Sequence, residues 1–351
     1  MTYDNLPEDL IEEPLKVGED DVLEYLSKII GFHFEHTPYW RRFSCDVKSL
    51  IGDTVAETVE NLLNSGLPVD EDYLRANWVE FLPEGYRGRI RFYQSSGTTR
   101  ERAIGHWDRN YVDYLVAYLR RSLDEIYGFN ELFPPGKMRA LAHGPYGWYQ
   151  DEISELVWSY EGYLYFIGME TDGLKRILEE KGIEEVLRIL NPLVKYTERV
   201  LKRDNSINLA RTAPPLVNLF EGASNNIEAV ILSGVGTDVA FLRNVEEKFP
   251  NARAIPLYGY YLFGDLVGVP KGEEIAYYPN WPFTLVFPVE KTGEGYRVVD
   301  YNERGELAVV VARPEVLVIK IEDETAVRVP NQKPFKWDGF SEPRRAIHGG
   351  K

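Results

Sequence analysis

The sequence of 351 residues contains a single cysteine, Cys45. One cysteine cannot form an intramolecular disulfide, and it cannot build a metal site from several thiolates. The N-terminal segment MTYDNLPEDLIEEPL is acidic and lacks the basic and apolar regions of a secretory signal peptide. Both features predict a protein of the reducing cytoplasm, in which Cys45 has a structural role.

Positive charge is also scarce, with 40 lysines and arginines against 56 aspartates and glutamates and a net charge of −16. This balance argues against nucleic acid or an anionic membrane as the main partner. The most apolar segment, AVVVARPEVLVIKI (308–321), is interrupted by Arg313, Pro314 and Glu315. It is also shorter than the roughly 20 residues that span a bilayer. We therefore expect no nucleic-acid partner and no membrane segment.

Motifs of several common catalytic sites are missing. The sequence has no Walker loop of the form G-x-x-x-x-G-K-[ST] and no G-x-S-x-G nucleophile elbow, which disfavours P-loop and α/β-hydrolase chemistry. A metal site needs three or four converging ligands, and His33, Glu35 and His36 have no further candidates nearby. We expect these histidines to pack among aromatic neighbours.

The N-terminal part is rich in helical patterns. Residues 20–47 predict an aromatic-rich helix that ends near Pro38. Two more helices are predicted at 53–64 and 70–77, with Asp53 and Asp70 as their N-caps.

Strand-like and helix-like segments then alternate. RIRFYQ (89–94) predicts a strand, and a helix with one apolar face follows Asp108, a plausible cap. Two charged amphipathic helices are predicted at DGLKRILEEKG and IEEVLRIL, and 184–203 is expected to be a helix pair. Strands at IEAVILSGVG and ARAIPLYGYY flank another helix. This order is typical of an α/β sheet with mostly parallel strands.

The character changes after about residue 265, where short β-rich runs are separated by glycine and proline. They predict an antiparallel sheet or a distorted barrel. The predicted fold class is therefore α/β, with mostly parallel sheets flanked by helices and a β-rich, barrel-like part. The expected boundaries are a helical part at 1–80, an α/β part at 81–265, a β-rich part at 266–340 and a tail at 341–351.

The segment QSSGTT (94–99) lies between a predicted strand and a predicted helix. Backbone N–H groups of a glycine-containing turn, together with serine and threonine hydroxyls, can surround phosphate oxygens. Clusters of serine and glycine also mark ordinary turns. By themselves, these six residues leave a phosphate loop and a serine-rich turn equally open.

Neighbouring segments shift the balance towards phosphate. QSSGTT resembles the phosphate loop of adenylate-forming enzymes, the superfamily of acyl- and aryl-coenzyme A ligases. More narrowly, it resembles the branch of phenylacetate–coenzyme A ligase and its acyl-protein synthetase relatives. HTPYWRRF (36–43) and SGLPVDEDYLRANW (65–78) are similar to segments that precede the loop in that branch.

Later segments extend the resemblance in the same order. EAVILSGVGTDVAFLRNVEEKF (228–249) resembles the strand and glycine-rich turn beneath the adenine, and IPLYGYY (255–261) resembles the strand with a Tyr-Gly pair that follows. RGELAVVVARPEVLVIKIEDE (304–324) resembles the segment whose aspartate binds ribose. One segment would be weak evidence, but ordered segments from about residue 25 to 340 are more specific.

The resemblance implies a nucleotide site and a neighbouring acyl site. The residues expected to contact the ATP phosphates, the last two of them also in catalysis, are Ser95, Ser96, Gly97, Thr98 and Thr99. The residues expected around the adenine are Ser233, Gly234, Val235, Gly236, Tyr258, Gly259 and Tyr260. Asp323 would bind the ribose hydroxyls, or it is one more solvated acid. His143 and Gly144 would line the acyl pocket, where His143 either contacts a carboxylate or is a hydrogen-bonded histidine near the core.

The departures from the family pattern concern the metal and the lid. Leu262 stands where the family has the glutamate that helps to hold magnesium, and leucine cannot bind a hard cation. Asp265, three residues later, is the candidate replacement as a metal ligand. Glu322 replaces the glycine before Asp323. The sequence ends near the family's hinge, so we expect the lysine of the family's C-terminal lid domain to be missing.

The function implied by the resemblance is ATP-dependent activation of an aryl or fatty acid, with possible transfer to a thiol. The expected cofactors are ATP or AMP, weakly held Mg²⁺ and possible coenzyme A. We expect a small-molecule carboxylate as substrate, and a protein partner that supplies a lid or a thiol acceptor in trans. The alternative is a nucleotide-binding subunit or regulator with little or no catalysis.

Overall fold

The computed structural model describes residues 1–3, 6, 11–94, 103–169, 177, 180–233 and 237–346. The α-helices with complete bounds in these ranges are α1 (Glu19–His36), α2 (Val47–Leu50), α3 (Val55–Asn64), α4 (Glu71–Ala76), α5 (Arg109–Tyr127), α6 (Phe129–Leu132), α7 (Trp148–Ser159), α8 (Ile183–Arg203) and α9 (Val239–Lys248). The 3-10 segments are Trp40–Arg42, Trp78–Phe81 and Pro214–Ala223.

The strands are likewise numbered in chain order. They are β1 (Ile90–Gln94), β2 (Ile104–Asp108), β3 (Arg139–Gly144), β4 (Tyr163–Gly168), β5 (Leu209–Thr212), β6 (Ala229–Leu232), β7 (Arg253–Tyr260), β8 (Gly264–Lys271), β9 (Glu274–Tyr277), β10 (Thr284–Lys291), β11 (Tyr296–Val298), β12 (Arg304–Arg313), β13 (Val316–Val329) and β14 (Gly339–Arg345).

The chain divides into two compact units. Unit 1 comprises Met1–Phe92, His106–Tyr118 and Glu274–Lys351, and unit 2 comprises Tyr93–Gly105 and Leu119–Glu273. Unit 1 therefore contains the N-terminal helices as well as the C-terminal strands. The boundaries expected from the sequence, at about 80, 265 and 340, remain a prediction about how the chain is organised.

Unit 1 contains a sheet in the order β11-β10-β12-β13-β14-β9, and its paired strands run antiparallel. Strands β12 and β13 form a hairpin in which Arg313 pairs with Val316. Helix α1 packs on this hairpin: Tyr25 donates a hydrogen bond to the carbonyl of Ala312 at 2.7 Å, and the ring of His33 bonds the carbonyl of Arg313 at 2.7 Å. The antiparallel character expected after residue 265 is confirmed.

Unit 2 contains a sheet in the order β8-β7-β6-β5-β3-β4. All neighbouring pairs are parallel except β7 with β8, which is a hairpin. Strands β5 and β6 are buried along their whole length, as expected for parallel strands covered on both faces. The strand order reverses at β3, which has the next strand β4 on one side and the later strand β5 on the other. The predicted α/β fold class is confirmed.

Local signals explain most helix starts. The side chain of Asp70 accepts a hydrogen bond from Tyr73 N at 3.0 Å, and Asp108 accepts one from Asn110 N at 2.8 Å, as predicted. The cap of α3 is Thr54 and not Asp53, because Thr54 Oγ1 accepts from Glu57 N. The helix pair predicted at 184–203 is one helix, α8, which continues through Pro192. None of the helices in the described part of the chain is both long and apolar enough to cross a membrane.

Candidate active site

The predicted site residues of unit 2 lie at the carboxyl ends of its parallel strands. His143 and Gly144 end β3, Ser233 directly follows β6, and Gly259 lies near the end of β7. In open α/β sheets, ligands bind outside the carboxyl ends of strands where the strand order reverses. Strand β3 lies at that reversal in unit 2. The sheet therefore places four predicted residues on the edge where such sites form.

The first turn of α7 lies among these residues. The hydroxyl of Tyr149 donates to the carbonyl of His143 at 3.0 Å and lies 3.3 Å from Ser233 Oγ. A Cβ on Gly144 would collide with the ring of Tyr149, so only glycine leaves room for that ring. Tyr149 thus holds the ends of β3 and β6 together.

A fully buried ion cluster lies beside Tyr149. The guanidinium of Arg211, on β5, lies 4.0 Å from the centre of the Tyr149 ring. Its Nη2 donates to Glu152 Oε1 at 2.8 Å and to Asp265 Oδ2. The backbone N–H of Asp265 donates to Glu152 Oε2 at 3.1 Å. Arg211 and Glu152 are 0% exposed and Asp265 is 1% exposed, so we call these three residues the unit 2 cluster.

The unit 2 cluster carries two carboxylates for one guanidinium. Burial, and then the negative charge of Asp265, raise the pKa of Glu152. Burial also raises the pKa of Asp265, against the opposing effect of Arg211. Nε and Nη1 of Arg211 have no hydrogen-bond partner among the described residues. The cluster therefore places two carboxyl groups of raised pKa beside one guanidinium, and only one guanidinium nitrogen bonds them among the described residues.

Asp265 also fixes the position of Gly259. The two residues are direct partners in the antiparallel β7–β8 pairing. A Cβ on Gly259 would collide with Asp265 Oδ1 and would lie 3.5 Å from the Trp148 ring. A side chain of β8 and a side chain of α7 therefore lie close to Gly259, which is itself exposed. Tyr258 and Tyr260 on either side of it are half-buried. The Tyr258 ring stacks with Phe263 at a centroid distance of 6.4 Å, and the Tyr260 ring is tilted to Phe263 at 5.0 Å.

His143 is buried, and both of its ring nitrogens are engaged. Nδ1 lies 2.9 Å from Thr212 Oγ1, and Nε2 lies 2.8 Å from Thr197 Oγ1. The hydroxyl proton of Thr197 is already donated to the carbonyl of Leu193 at 2.9 Å. Nε2 must therefore carry the ring proton, and Nδ1 accepts from Thr212. Burial lowers the pKa of His143 to about 4, which keeps the ring neutral.

This is the hydrogen-bonded arrangement, one of the two alternatives that the sequence leaves open for His143. A direct contact with a carboxylate would require one of the two threonine bonds to be exchanged. The role of His143 in substrate binding stays a prediction.

Comparison with solved structures finds 2-hydroxyisobutyryl-CoA ligase. Its open conformation, in complex with 2-HIB-AMP and CoA, aligns over 93% of this chain and 73% of the ligase chain, with a TM-score of 0.64 and 11% identity. The same ligase in the postadenylation state with R3-HIB-AMP aligns over 93% of this chain and 66% of its own length, with a TM-score of 0.63. The chain has the fold of an adenylate-forming ligase. No protein-family model matches the sequence, and no curated protein matches it.

Several residues predicted for this adenylate-forming fold lie outside the described residues. They are Ser95, Ser96, Gly97, Thr98 and Thr99 of the phosphate loop and Gly234, Val235 and Gly236 of the adenine turn. Asp323, the predicted ribose ligand, lies on β13 of unit 1 with an exposed side chain. Their roles stay predictions.

The carboxylate predicted to bind a metal ion already has a partner among the described residues. Asp265 is paired with Arg211, so a cation would have to compete with a guanidinium for its carboxylate. Leu262 is 1% exposed and apolar. Among the described residues, no three His, Cys, Asp or Glu side chains converge to hold a metal ion. The metal role of Asp265 stays a prediction.

Three residues of this region were not anticipated from the sequence: Tyr149, Glu152 and Arg211. The only signal for Arg211 is its place in a short predicted strand beside Leu209 and Ala210, because a charged residue is rarely buried without a partner. Glu152 precedes Ile153 on the buried side of α7, which is a weaker signal of the same kind.

Proposed function

We propose that the protein activates a carboxylic acid with ATP, forming an acyl-adenylate and releasing pyrophosphate. The observation that carries the proposal is the gathering of His143, Gly144, Ser233 and Gly259 around the first turn of α7, in an adenylate-forming fold. These residues come from separate segments, each singled out by resemblance to the same family. A purely structural α/β domain gives no reason for them to lie along the carboxyl-terminal edge of the sheet that includes the switch point at β3.

The finer parts of the proposal follow the resemblance. The acid is aryl or fatty, as in the phenylacetate–coenzyme A ligase and acyl-protein synthetase branch, and a thiol such as coenzyme A receives the acyl group. The solved ligase with the same fold carries an acyl-AMP and CoA. This chain spans 66–73% of the length of those ligase chains. Following the resemblance, the proposal includes a lid domain or partner acting in trans.

The reaction is an in-line displacement. A carboxylate oxygen forms a bond to the α-phosphorus, the bond from that phosphorus to the bridging oxygen breaks, and pyrophosphate leaves with the electron pair. The protein contributes position and electrostatic stabilisation more than covalent chemistry. The proposed donors to the phosphates are the N–H and hydroxyl groups of 95–99. Tyr258 would stack on the adenine, and Asp323 would accept hydrogen bonds from the ribose.

Magnesium is expected with ATP, but the described residues do not fit a protein-held ion. Asp265 is engaged by Arg211, and Leu262 offers no oxygen. We therefore derive no step through a protein-bound metal and propose that Mg²⁺ is held by phosphate oxygens and water. The ratio of ATP affinities with and without Mg²⁺ should then be unchanged in Asp265→Asn. A collapse of that ratio would assign the ion to Asp265.

A second candidate function is nucleotide binding without catalysis, as a subunit or regulator. The buried Leu262 and the engagement of Asp265 favour it, because both weaken the case for a metal-assisted reaction. The two functions differ in one assay, the exchange of labelled pyrophosphate into ATP in the presence of an acid. Exchange with an acid from a panel of aryl and fatty acids supports the ligase, whereas firm nucleotide binding without exchange supports the regulator.

The test of either function is calorimetric titration with ATP and AMP. Replacing Ser96 and Thr98 by alanine should weaken binding by about 1–3 kcal/mol in total, the usual worth of hydrogen bonds to a charged group. Ser206→Ala, which removes an exposed hydroxyl bonded only to Asp204, is the matched control. If millimolar nucleotide produces neither heat nor a thermal shift with the wild type, both functions fail.

A further inference from the structure

One turn of α7 contacts described residues that lie in, or just before, each stretch of unit 2 to which the resemblance assigns a nucleotide or acyl role. Tyr149 contacts the ends of β3 and β6. Asp151 accepts a hydrogen bond from the hydroxyl of Tyr93, close before the phosphate loop. Glu152 and Trp148 reach the β7–β8 hairpin. Four residues within five positions therefore connect segments that are far apart in the sequence.

Among these contacts, Glu152 makes the connection that is hardest to replace. One carboxylate oxygen accepts from Arg211 on β5, and the other accepts from the backbone N–H of Asp265 on β8. A carboxyl group presents two oxygens and can accept both bonds at once, whereas a glutamine amide presents one. Asp265 packs directly against Gly259. The bond from Glu152 to Asp265 therefore also helps to fix the position of Tyr258 and Gly259.

We propose that Glu152 is a positioning residue, which acts through Arg211 and Asp265 to hold Tyr258, Gly259 and Tyr260 in place for nucleotide binding. Glu152 is fully buried and is not expected to touch the ligand. The identity of the ligand in this inference rests on the proposed function. The positioning of the β7–β8 hairpin by Glu152 does not depend on that function.

The unit 2 cluster differs from a simple packing contact in its ionisable groups. Asp265 and Arg211 could pair one to one without Glu152, so the second carboxyl group brings either a negative charge or a bound proton into a buried site. Burying such a polar group costs stability unless it is fully hydrogen-bonded. Glu152 costs stability and provides two well-placed acceptor oxygens. This combination favours a role in positioning the β7–β8 hairpin over a role in stabilising the fold.

The experiment compares Glu152→Gln with Glu315→Gln. Glu315 is equally buried and also paired with an arginine, but it lies at the β12–β13 hairpin of unit 1. Glutamine keeps the size of the side chain while leaving a single acceptor oxygen. Each variant is titrated with AMP, and hydrogen–deuterium exchange is measured for a peptide covering 257–266 without ligand. Asp265→Asn, which leaves Arg211 with one carboxylate, is the second variant if Glu152→Gln does not fold.

The expected result is about a tenfold weaker affinity for AMP in Glu152→Gln, the worth of one charge-assisted hydrogen bond. Exchange within 257–266 should also be faster, and Glu315→Gln should change neither measurement. Unchanged AMP affinity and unchanged exchange in Glu152→Gln would overturn the inference. Equal losses in both variants would overturn it as well, since a general loss of stability would then suffice.

Failure of the proposed function has a different signature. If the wild type does not bind AMP or ATP, the proposed function is wrong, and the exchange measurement alone decides on Glu152. Faster exchange of 257–266 in Glu152→Gln would then support its positioning of the hairpin, and unchanged exchange would reject it.

Discussion

Arg211 in unit 2 and Arg313 in unit 1 are both 0% exposed, and each guanidinium lies 4.0 Å from the centre of a tyrosine ring. Their counter-ions differ. Arg313 has one carboxylate, with Nε 3.1 Å from Glu315 Oε1, and its Nη2 donates to the carbonyl of His106 at 2.6 Å. Arg211 has two carboxylates and no backbone carbonyl among its hydrogen-bond partners in the described residues.

The partners of Glu315 complete the contrast. Its Oε2 accepts from the hydroxyl of Tyr3 at 2.9 Å, and its Oε1 lies 3.4 Å from the backbone nitrogen of Asp108. The pair in unit 1 is therefore balanced in charge and closed by neutral donors at a hairpin turn. The unit 2 cluster is unbalanced and lies at the edge of the sheet where the predicted site residues meet. In our interpretation, the buried pair in unit 1 stabilises the fold, whereas the equally buried cluster in unit 2 maintains the geometry of the candidate site.

The largest expected effect is on stability when each arginine is removed. Arg211→Met leaves two buried carboxyl groups without a cation, and we expect a loss of about 3–5 kcal/mol in the free energy of unfolding. Arg313→Met leaves one carboxylate with two neutral donors, so its loss should be smaller. Urea denaturation followed by tryptophan fluorescence would compare the two variants.

If Arg313→Met loses more free energy of unfolding than Arg211→Met, the proposed difference between the two buried arginines is wrong. A further check is the double variant Arg211→Met with Glu152→Gln, which removes one of the stranded charges. It should recover part of the loss, with a coupling of about 0.5–3 kcal/mol, the range for residues in one network.

A smaller effect is expected from alkaline pH. The folded-state pKa of Glu152 is raised above its unfolded value, so the folded state holds a proton that the unfolded state releases. Its contribution to stability is complete below about pH 4.5 and is lost as the pH rises through the raised folded-state pKa. Between pH 5 and pH 8 the wild type should therefore lose more stability than Glu152→Gln, which has no such proton to release. Parallel stability curves for the two proteins would contradict this assignment of the proton.

Acid should act through the buried histidines with the opposite sign. Burial lowers the pKa of His143 in unit 2 to about 4 and that of His33 in unit 1 to about 3. The unfolded state takes up protons from about pH 6.5 downwards, while the folded rings stay neutral. At pH 5 each histidine should therefore cost about 2 kcal/mol relative to pH 7.

Thermal unfolding of His143→Gln and His33→Gln between pH 5 and pH 7 would measure this. Each variant should show a flatter pH dependence than the wild type, by similar amounts. A difference confined to one variant would show that the two histidines are not equally isolated from water.

The smallest expected effect comes from a methyl group at Gly259. Gly259→Ala should push the Asp265 carboxylate away from Arg211 and cost about 1–2 kcal/mol, as for other overpacked sites. Gly222→Ala is the control in the same unit, because a Cβ there meets no atom within 4 Å. Equal melting temperatures for Gly259→Ala and the wild type would show that the cluster adjusts freely.

Much of the fold follows from short-range sequence signals. The end of α1 before Pro38 and the caps at Asp70 and Asp108 depend on residues only a few positions apart, so their chemistry is legible in the sequence. The single helix α8 was not anticipated, because Pro192 normally ends a helix and nothing local shows that this one continues.

The candidate site shows where such signals end. His143 and Ser233 were named because their segments resemble a family, whereas Glu152 and Arg211 belong to no segment of that kind. Their importance arises from a contact across 59 positions of the sequence, which no local pattern records. Charged residues are mostly exposed in proteins, so sequence alone predicts a surface position for Glu152 and Arg211. Only the fold shows that they are paired and buried.

The bond between His33 and the carbonyl of Arg313 joins residues 280 positions apart. During synthesis, α1 therefore leaves the ribosome long before the hairpin on which it packs exists. Strands β3 to β8 of unit 2 are all complete before β12 begins. We expect unit 2 to assemble first, while the apolar face of α1 has no partner yet and is exposed to chaperones. The nascent chain should then be most prone to aggregation when its last quarter is still being made.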